Sequence, residues 1–580
     1  MLKIRLFGIL SVLILALLSG LDCPGGRRES PEHAFLRDYG NTVLPLEKEL
    51  GLRQWQASFS DDPNVQERLA KAEQNINDFF ADPEIFDTLR AFREKRPEDP
   101  EIQRQLDILY NRHWPFQAAK PLRDAINALE KELGQDYDRL RLNVSGDVLN
   151  IEEAQKRLSV SASSDDRRDC WEAILRRLGP LGPKFRRLIL LRNEAARTLG
   201  FENYFGQVLS TNGTNKEEFI ALLADLEARS AGPFARLFSE ASGRLSRHYG
   251  IREDEFRPWH WPDPFYLNRS LAASPDLDRL YQNRDHIRVG LDFFKVLGMD
   301  LTRIVQRSEL YDRKARESGA FKILVDREYD YSLLLKPIIR WECPPGYDVR
   351  IVMNVSPSAA FMKAVLHQLG HAAYLENVDK KLPFVLRQEA SIAVSESVAT
   401  FFEYLIYDDA WIRTFIGVPA DEVQAHRDDF RHLSLSGLLA GLRQKLCFLR
   451  FEQSLYDHPE QDLSALWRRM TERFLLVKSP EDWDNPDYLF YEDFVKWPVF
   501  EQHFIYAYLL CAQIHHYLDQ HGARILGEGE NFDWPAVGRF FREKIFSLGA
   551  TYPWLRLVEI ATGERLNPAH FFSQFVDIPG

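Results

Sequence analysis

Apolar residues recur at three- and four-residue spacing along most of the chain, the pattern of amphipathic helices. The segments VQERLAKAEQNINDFF (65–80), KEEFIALLADLEARSAGPFARLF (216–238) and RFFREKIFSLG (539–549) show it most clearly. Prolines and glycines punctuate them, as in PLGPK (180–184), PWHWPDP (258–264) and PPGYD (344–348). Two stretches read instead as strands, FKILVD (321–326) and YDVRIVMNV (347–355). Ser356-Pro357 predicts the next helix start, a capping serine followed by a proline at the first helical position. That helix runs on with Phe361, Val365 and Leu369 along its apolar side, and Pro383 lies in the loop beyond it. A further helix is predicted from near Glu389 to past Phe402. With no fixed-period repeat and no low-complexity linker, the expectation is one large, mainly α domain over 23–580, with a small β-sheet.

Residues 1–22 have another character. Lys3 and Arg5 precede an apolar run from Leu6 to Leu18, then Ser19 and Gly20, the layout of a secretory signal. The run is short for a membrane span, which needs about 20 apolar residues. Export is therefore expected, to a periplasm, cell envelope or extracellular space. Cys23 offers a membrane link only through lipid, and Asp22 departs from the small residue that such a site has immediately before its cysteine. A net charge of −12 argues against nucleic acid, which requires a basic face. The cysteines show no CxxC spacing, so a metal knuckle is not indicated.

His367 and His371 lie four apart on a predicted helix, so both imidazoles can face one metal ion. This is the only HxxxH pair among fifteen histidines. The third ligand is expected to be a carboxylate from the next helix. Glu396 stands among apolar neighbours in SIAVSESVATFFEY, where a carboxylate is costly unless paired or metal-bound. Glu389 and Glu403 lie seven residues to either side, close to the same face, and periodicity leaves all three open.

The region resembles the angiotensin-converting-enzyme family of zinc peptidases, distantly related to the thimet-type oligopeptidases. The family has a strand reading roughly DFRI, then HHEMGH, LPVALREGA and HEAIGD. This chain has Asp348-Val349-Arg350-Ile351, then LHQLGH, then Leu382-Pro383-Phe384-Val385-Leu386-Arg387-Gln388-Glu389-Ala390 and Ser395-Glu396-Ser397. Leu191-Arg192-Asn193-Glu194-Ala195-Ala196-Arg197 with Gly200-Phe201-Glu202-Asn203-Tyr204 is similar to NEVAR…GYEDY, and Gly549, Pro553-Trp554, Gly563 and Phe571-Phe572 are similar to the closing G…RPW…G…YF. The resemblance is thin in the first hundred residues and firm over 337–410. It implies a two-lobed helical metallopeptidase fold enclosing a deep channel for short peptides, with the small sheet beside the zinc helix. It also implies Zn2+ on His367, His371 and Glu396.

Several positions depart from that pattern. Gln368 stands at the general-base glutamate and cannot carry a proton at neutral pH. Gap-free alignment puts Phe504 at the tyrosine that stabilises the oxyanion, while a shifted register offers Tyr506 or Tyr508, and His503 is a further candidate donor. The peptide-contacting histidine falls on Pro337, and an aspartate that orients a zinc histidine falls on Thr400. The leading expectation is an exported zinc-binding homologue that holds peptides and hydrolyses them poorly or not at all. The alternatives are an active peptidyl dipeptidase or oligopeptidase using Glu389 or His503 as base, and a metal-free helical binding or scaffold protein.

Overall fold

The computed structural model describes residues 29–60, 62–261, 277–311, 338–343, 346–353, 355, 357–480, 483–521 and 532–574. The leader, Cys23, the strand expected at 321–326, Pro337 and Ser356 lie outside them. Two compact units divide the chain, Met1–Val43 and Leu44–Gly580. The described part of the first is helical, belonging to the helix Pro31–Ala57. All that follows concerns the second.

The fold of this unit is mainly α. Local sequence sets many of the helix starts. α1 (Pro63–Phe80) and α2 (Pro100–His113) each begin with an aspartate followed by proline. The carboxylates of Asp62 and Asp99 accept from the backbone N–H groups of Asn64 and Glu101, at 2.9 and 2.8 Å. Proline at the next position loses nothing, because its missing N–H would have had no partner in the first turn. α3 runs from Lys216 to Tyr249, well past the predicted segment; Pro233 sits within it and Gly250 ends it at φ 66°. α4 (His286–Val296) precedes the strands that lead to the histidines.

Two small antiparallel sheets are described. One is the hairpin β1 (Leu142–Val144) and β2 (Asp147–Leu149). The other pairs β3 (Ile338–Cys343) with β4 (Gly346–Ile351), in the register Ile339 with Arg350 and Trp341 with Asp348. β4 was expected; its partner β3 was not. Val349 and Ile351 point into the core while Arg350 between them is part-exposed, the period-two alternation of a half-buried strand.

α5 (Ala359–Asn377) carries the histidine pair and α6 (Ile392–Glu403) carries Glu396. Both start later than predicted. Ser358 rather than Ser356 caps α5, its hydroxyl accepting from Phe361 N–H at 3.2 Å. Ser391 caps α6 through Val394 N–H at 3.2 Å, which leaves Glu389 in the preceding segment. Residues Ala393 to Phe402 of α6 are all buried. α7 (Arg427–Asp457) and α8 (Glu501–Gln520) are likewise buried over long stretches.

The segment 539–549 departs from the regular helix its pattern predicts. α9 spans Trp534–Phe540, then the chain widens into a π-helical turn over Phe541–Ile545 and tightens over Phe546–Leu548. The change of pitch buries both Phe541 and Phe546, whose rings lie 5.6 Å apart. Gly549 ends the run at φ 49° against the loop after α5, where an added Cβ would sit 2.3 Å from the Leu386 carbonyl. The next residue, Ala550, donates its N–H to that carbonyl at 2.9 Å.

α5 and α6 meet at Gly370. A Cβ there would lie 3.0 Å from the Phe402 ring and 3.2 Å from the Ala399 Cα, so glycine permits the close approach. Gly370→Ala is expected to lower stability by about 1–3 kcal/mol through overpacking. Gly134→Ala, where nothing lies within 4 Å of the added methyl, should be neutral or slightly stabilising. Urea denaturation of both variants checks this.

Candidate metal centre

The site grows from the α5–α6 contact. His367 and His371 present their Nε2 atoms to each other at 3.1 Å. Glu396 faces both, with Oε2 3.6 Å from His367 Nε2 and Oε1 3.7 Å from His371 Nε2. One donor atom from each residue lies within 4.8 Å of the others.

The opposite ring nitrogens are held from behind. His367 Nδ1 meets Glu403 Oε2 at 2.9 Å. A carboxylate can only accept, so the Nδ1–H donates, and in the neutral ring Nε2 then keeps its lone pair toward Glu396. His371 Nδ1 is 2.7 Å from Ser395 Oγ. Lys363 Nζ lies 3.3 Å from the other Glu403 oxygen, which carries the chain of partners out to a cation. The sequence reading missed these roles. It expected Thr400 to leave a histidine without an orienting carboxylate; Glu403, less than one turn further along α6, supplies it. The signal was the seven-residue spacing from Glu396, which places the two carboxylates near one face.

The charges follow from burial. Burial pulls the His367 imidazolium down, but the Glu403 and Glu396 carboxylates together more than offset it and hold the group above its ordinary 6.5. Glu403 is raised by burial yet ends below its ordinary value because Lys363 and His367 favour its anion. For Glu396 burial dominates and pushes it up to about 7, against a smaller opposing pull from His367 and Lys445. Glu396 Oε2 is buried without a hydrogen-bond partner. Two imidazole nitrogens and an orphaned carboxylate oxygen, all converging, are a donor set suited to one Zn2+ ion.

The site opens on a cavity of about 760 Å³, whose wall includes Gln368, His371, Glu396, Glu389, Trp497 and Phe500. Gln368 is 1% exposed, and neither its Oε1 nor its Nε2 has a hydrogen-bond partner. The other sequence candidates do not line that wall. His503 is buried beside the Phe500 ring at 5.1 Å, and burial alone pulls it down to about 3, so it stays neutral. Phe504 lies under Lys445 Nζ, 5.0 Å from its ring centre, and lines a separate small pocket with Glu452 and Glu501. Tyr506 packs between the rings of Phe219 and Trp554, and Tyr508 is buried and stacked on Phe571.

Other motif residues serve the scaffold. Asn193 donates to the Tyr456 carbonyl at 2.8 Å and accepts from Tyr204 N–H at 3.0 Å, while Arg192 pairs with Glu130 at 2.7 Å. Cys170, Cys447 and Cys511 are buried free thiols. Among the described residues, no helix is long and apolar enough to cross a membrane.

The geometry predicts metal behaviour directly. The purified chain should hold about one zinc, and His371→Ala should abolish it. Glu403→Gln should weaken zinc about 10–100-fold, since it replaces the charged acceptor that orients His367 with a neutral amide. Affinity should also fall as pH drops through the imidazole range, because protons compete for Nε2. Metal analysis and competition with a chromogenic chelator measure all three.

Residues 27–250 match the family model described as angiotensin-converting enzyme. The match ends ahead of the histidine helix and includes the motifs at 191–197 and 200–204. No curated protein matches the chain. Over those residues the chain is similar to the angiotensin-converting-enzyme type of peptidase.

Proposed function

We propose that this protein is an exported, zinc-binding peptidase homologue of the peptidyl-dipeptidase type, which holds short peptides in the cavity beside the histidines and hydrolyses them slowly or not at all. One observation carries the reading. Gln368, between the two histidines on α5, shares the cavity wall with His371 and Glu396, so this position offers the cavity an amide rather than a carboxylate.

His367, His371 and Glu396 would hold the ion, and when bound it supplies Lewis-acid polarisation. Glu403 and Ser395 keep both imidazoles turned toward it. Gln368 can donate to a peptide carbonyl and accept from a peptide N–H, but it cannot take a proton and pass it to a departing amine. Losing a general base typically costs about 10²–10⁴ in rate. The apolar leader Leu6–Leu18 supports export.

A second reading is favoured by one feature. Glu389 lines the same cavity, where it could serve as base in a working peptidase. Gln368→Glu should raise hydrolysis of a mixed peptide library by about 10²-fold or more. Phe504→Tyr should leave that gain unchanged, because Phe504 is not on the cavity wall. Wild-type turnover as fast as that of Gln368→Glu, and lost in Glu389→Gln, would establish the second reading instead.

A further inference from the structure

The cavity wall carries two arginines, Arg104 and Arg112, both from α2. Arg112 is neutralised, pairing with Glu47 at 2.7 Å and lying 4.7 Å over the Phe80 ring. Arg104 is not. Its Nε donates to the Ala550 carbonyl at 2.9 Å and its Nη2 to the Tyr552 carbonyl at 3.4 Å. Both acceptors are uncharged, and among the described residues no carboxylate pairs with it. Of the two acids three residues away along the helix, Asp107 is engaged by Arg93 at 2.6 Å, and Glu101 forms no ion pair with Arg104. Nη1 is left without a hydrogen bond to any described residue.

A part-buried guanidinium without a counter-ion is unusual, because an ion removed from water calls for a partner. Burial acts on it accordingly, pulling its pKa below the ordinary value, with Asp107 offsetting only part. Its position is also fixed. Ala550 takes the Arg104 Nε–H on its carbonyl and gives its own N–H to Leu386, in the loop that follows the histidine helix. The guanidinium is thus tied through one residue to the segment that leads from the two histidines to Glu396.

We infer that Arg104 docks a carboxylate of the bound peptide, either its C-terminus or an acidic side chain. The inference rests on reading the cavity as a peptide site. Backbone carbonyls hold the fork in place before binding, so little side-chain freedom is lost when the anion arrives. The contact is a charge-assisted hydrogen bond in a sheltered cavity, the stronger kind.

Isothermal titration of the full-length zinc-loaded protein tests this with three hexapeptides of one neutral sequence: a free C-terminus, an amidated C-terminus, and an amidated form with one Ala replaced by Glu. Wild type should bind one or both carboxylate peptides roughly ten- to hundredfold tighter than the neutral amide. Whichever carboxylate gains identifies the source. Arg104→Gln should erase the difference while leaving affinity for the amidated neutral peptide and zinc content unchanged, and Arg104→Lys should keep part of it. Equal affinity for all three peptides on wild type overturns the inference without any variant, as does a preference that survives Arg104→Gln. Those results leave the peptide-site reading standing; failure to bind any of the three overturns both.

Discussion

The close crossing of the two helices at Gly370 is the constraint on which the site depends. Glycine on one helix faces the Ala399 backbone and the Phe402 ring on the other, so the axes approach closely enough for side chains to meet directly. That contact sets Glu396 against both imidazoles from one side. It sets Ser395 and Glu403 against their far nitrogens from the other. A larger residue at Gly370 would separate donor from donor, and the centre would lose its geometry before losing any ligand.

Charge explains why the arrangement calls for a cation. Lys363 balances Glu403, and Glu403 orients His367. Glu396 remains, buried and with one oxygen lacking any hydrogen bond, opposite two nitrogens that offer lone pairs or protons. Without an ion the group drifts toward its neutral form, which burial favours. A divalent cation held by His367, His371 and Glu396 would reverse that preference. Gln368 stands next to this centre and is neutral in every state, so it adds hydrogen bonding to the cavity without adding charge.

Much of this was legible in the sequence because it is local. The Asp-Pro helix starts, the four-residue spacing of the histidines and the alternation in β4 all depend on near neighbours. Glu396 as the third donor was legible only through resemblance, since periodicity alone left Glu389 and Glu403 open. What the chain could not reveal depends on how distant segments cross. Glu403 reaches His367 only because α5 and α6 are so close, and β3 is placed by its pairing with β4. The wide turn after Phe540 is a tertiary override too, since the apolar spacing there is that of a regular helix. Arg104 looks like any arginine on an amphipathic helix until its surroundings are seen, where no carboxylate among the described residues pairs with it. Arg192 and Asn193, in the stretch similar to a family motif, bind the scaffold rather than the site.

Extended X-ray absorption fine structure at the zinc edge, on the full chain loaded with one equivalent of zinc, tests the central claim most directly. The account predicts a first shell of nitrogen and oxygen near 2.0–2.1 Å with the multiple-scattering signature of two imidazoles. A sulfur shell near 2.3 Å, or a shell without imidazole scattering, would contradict it.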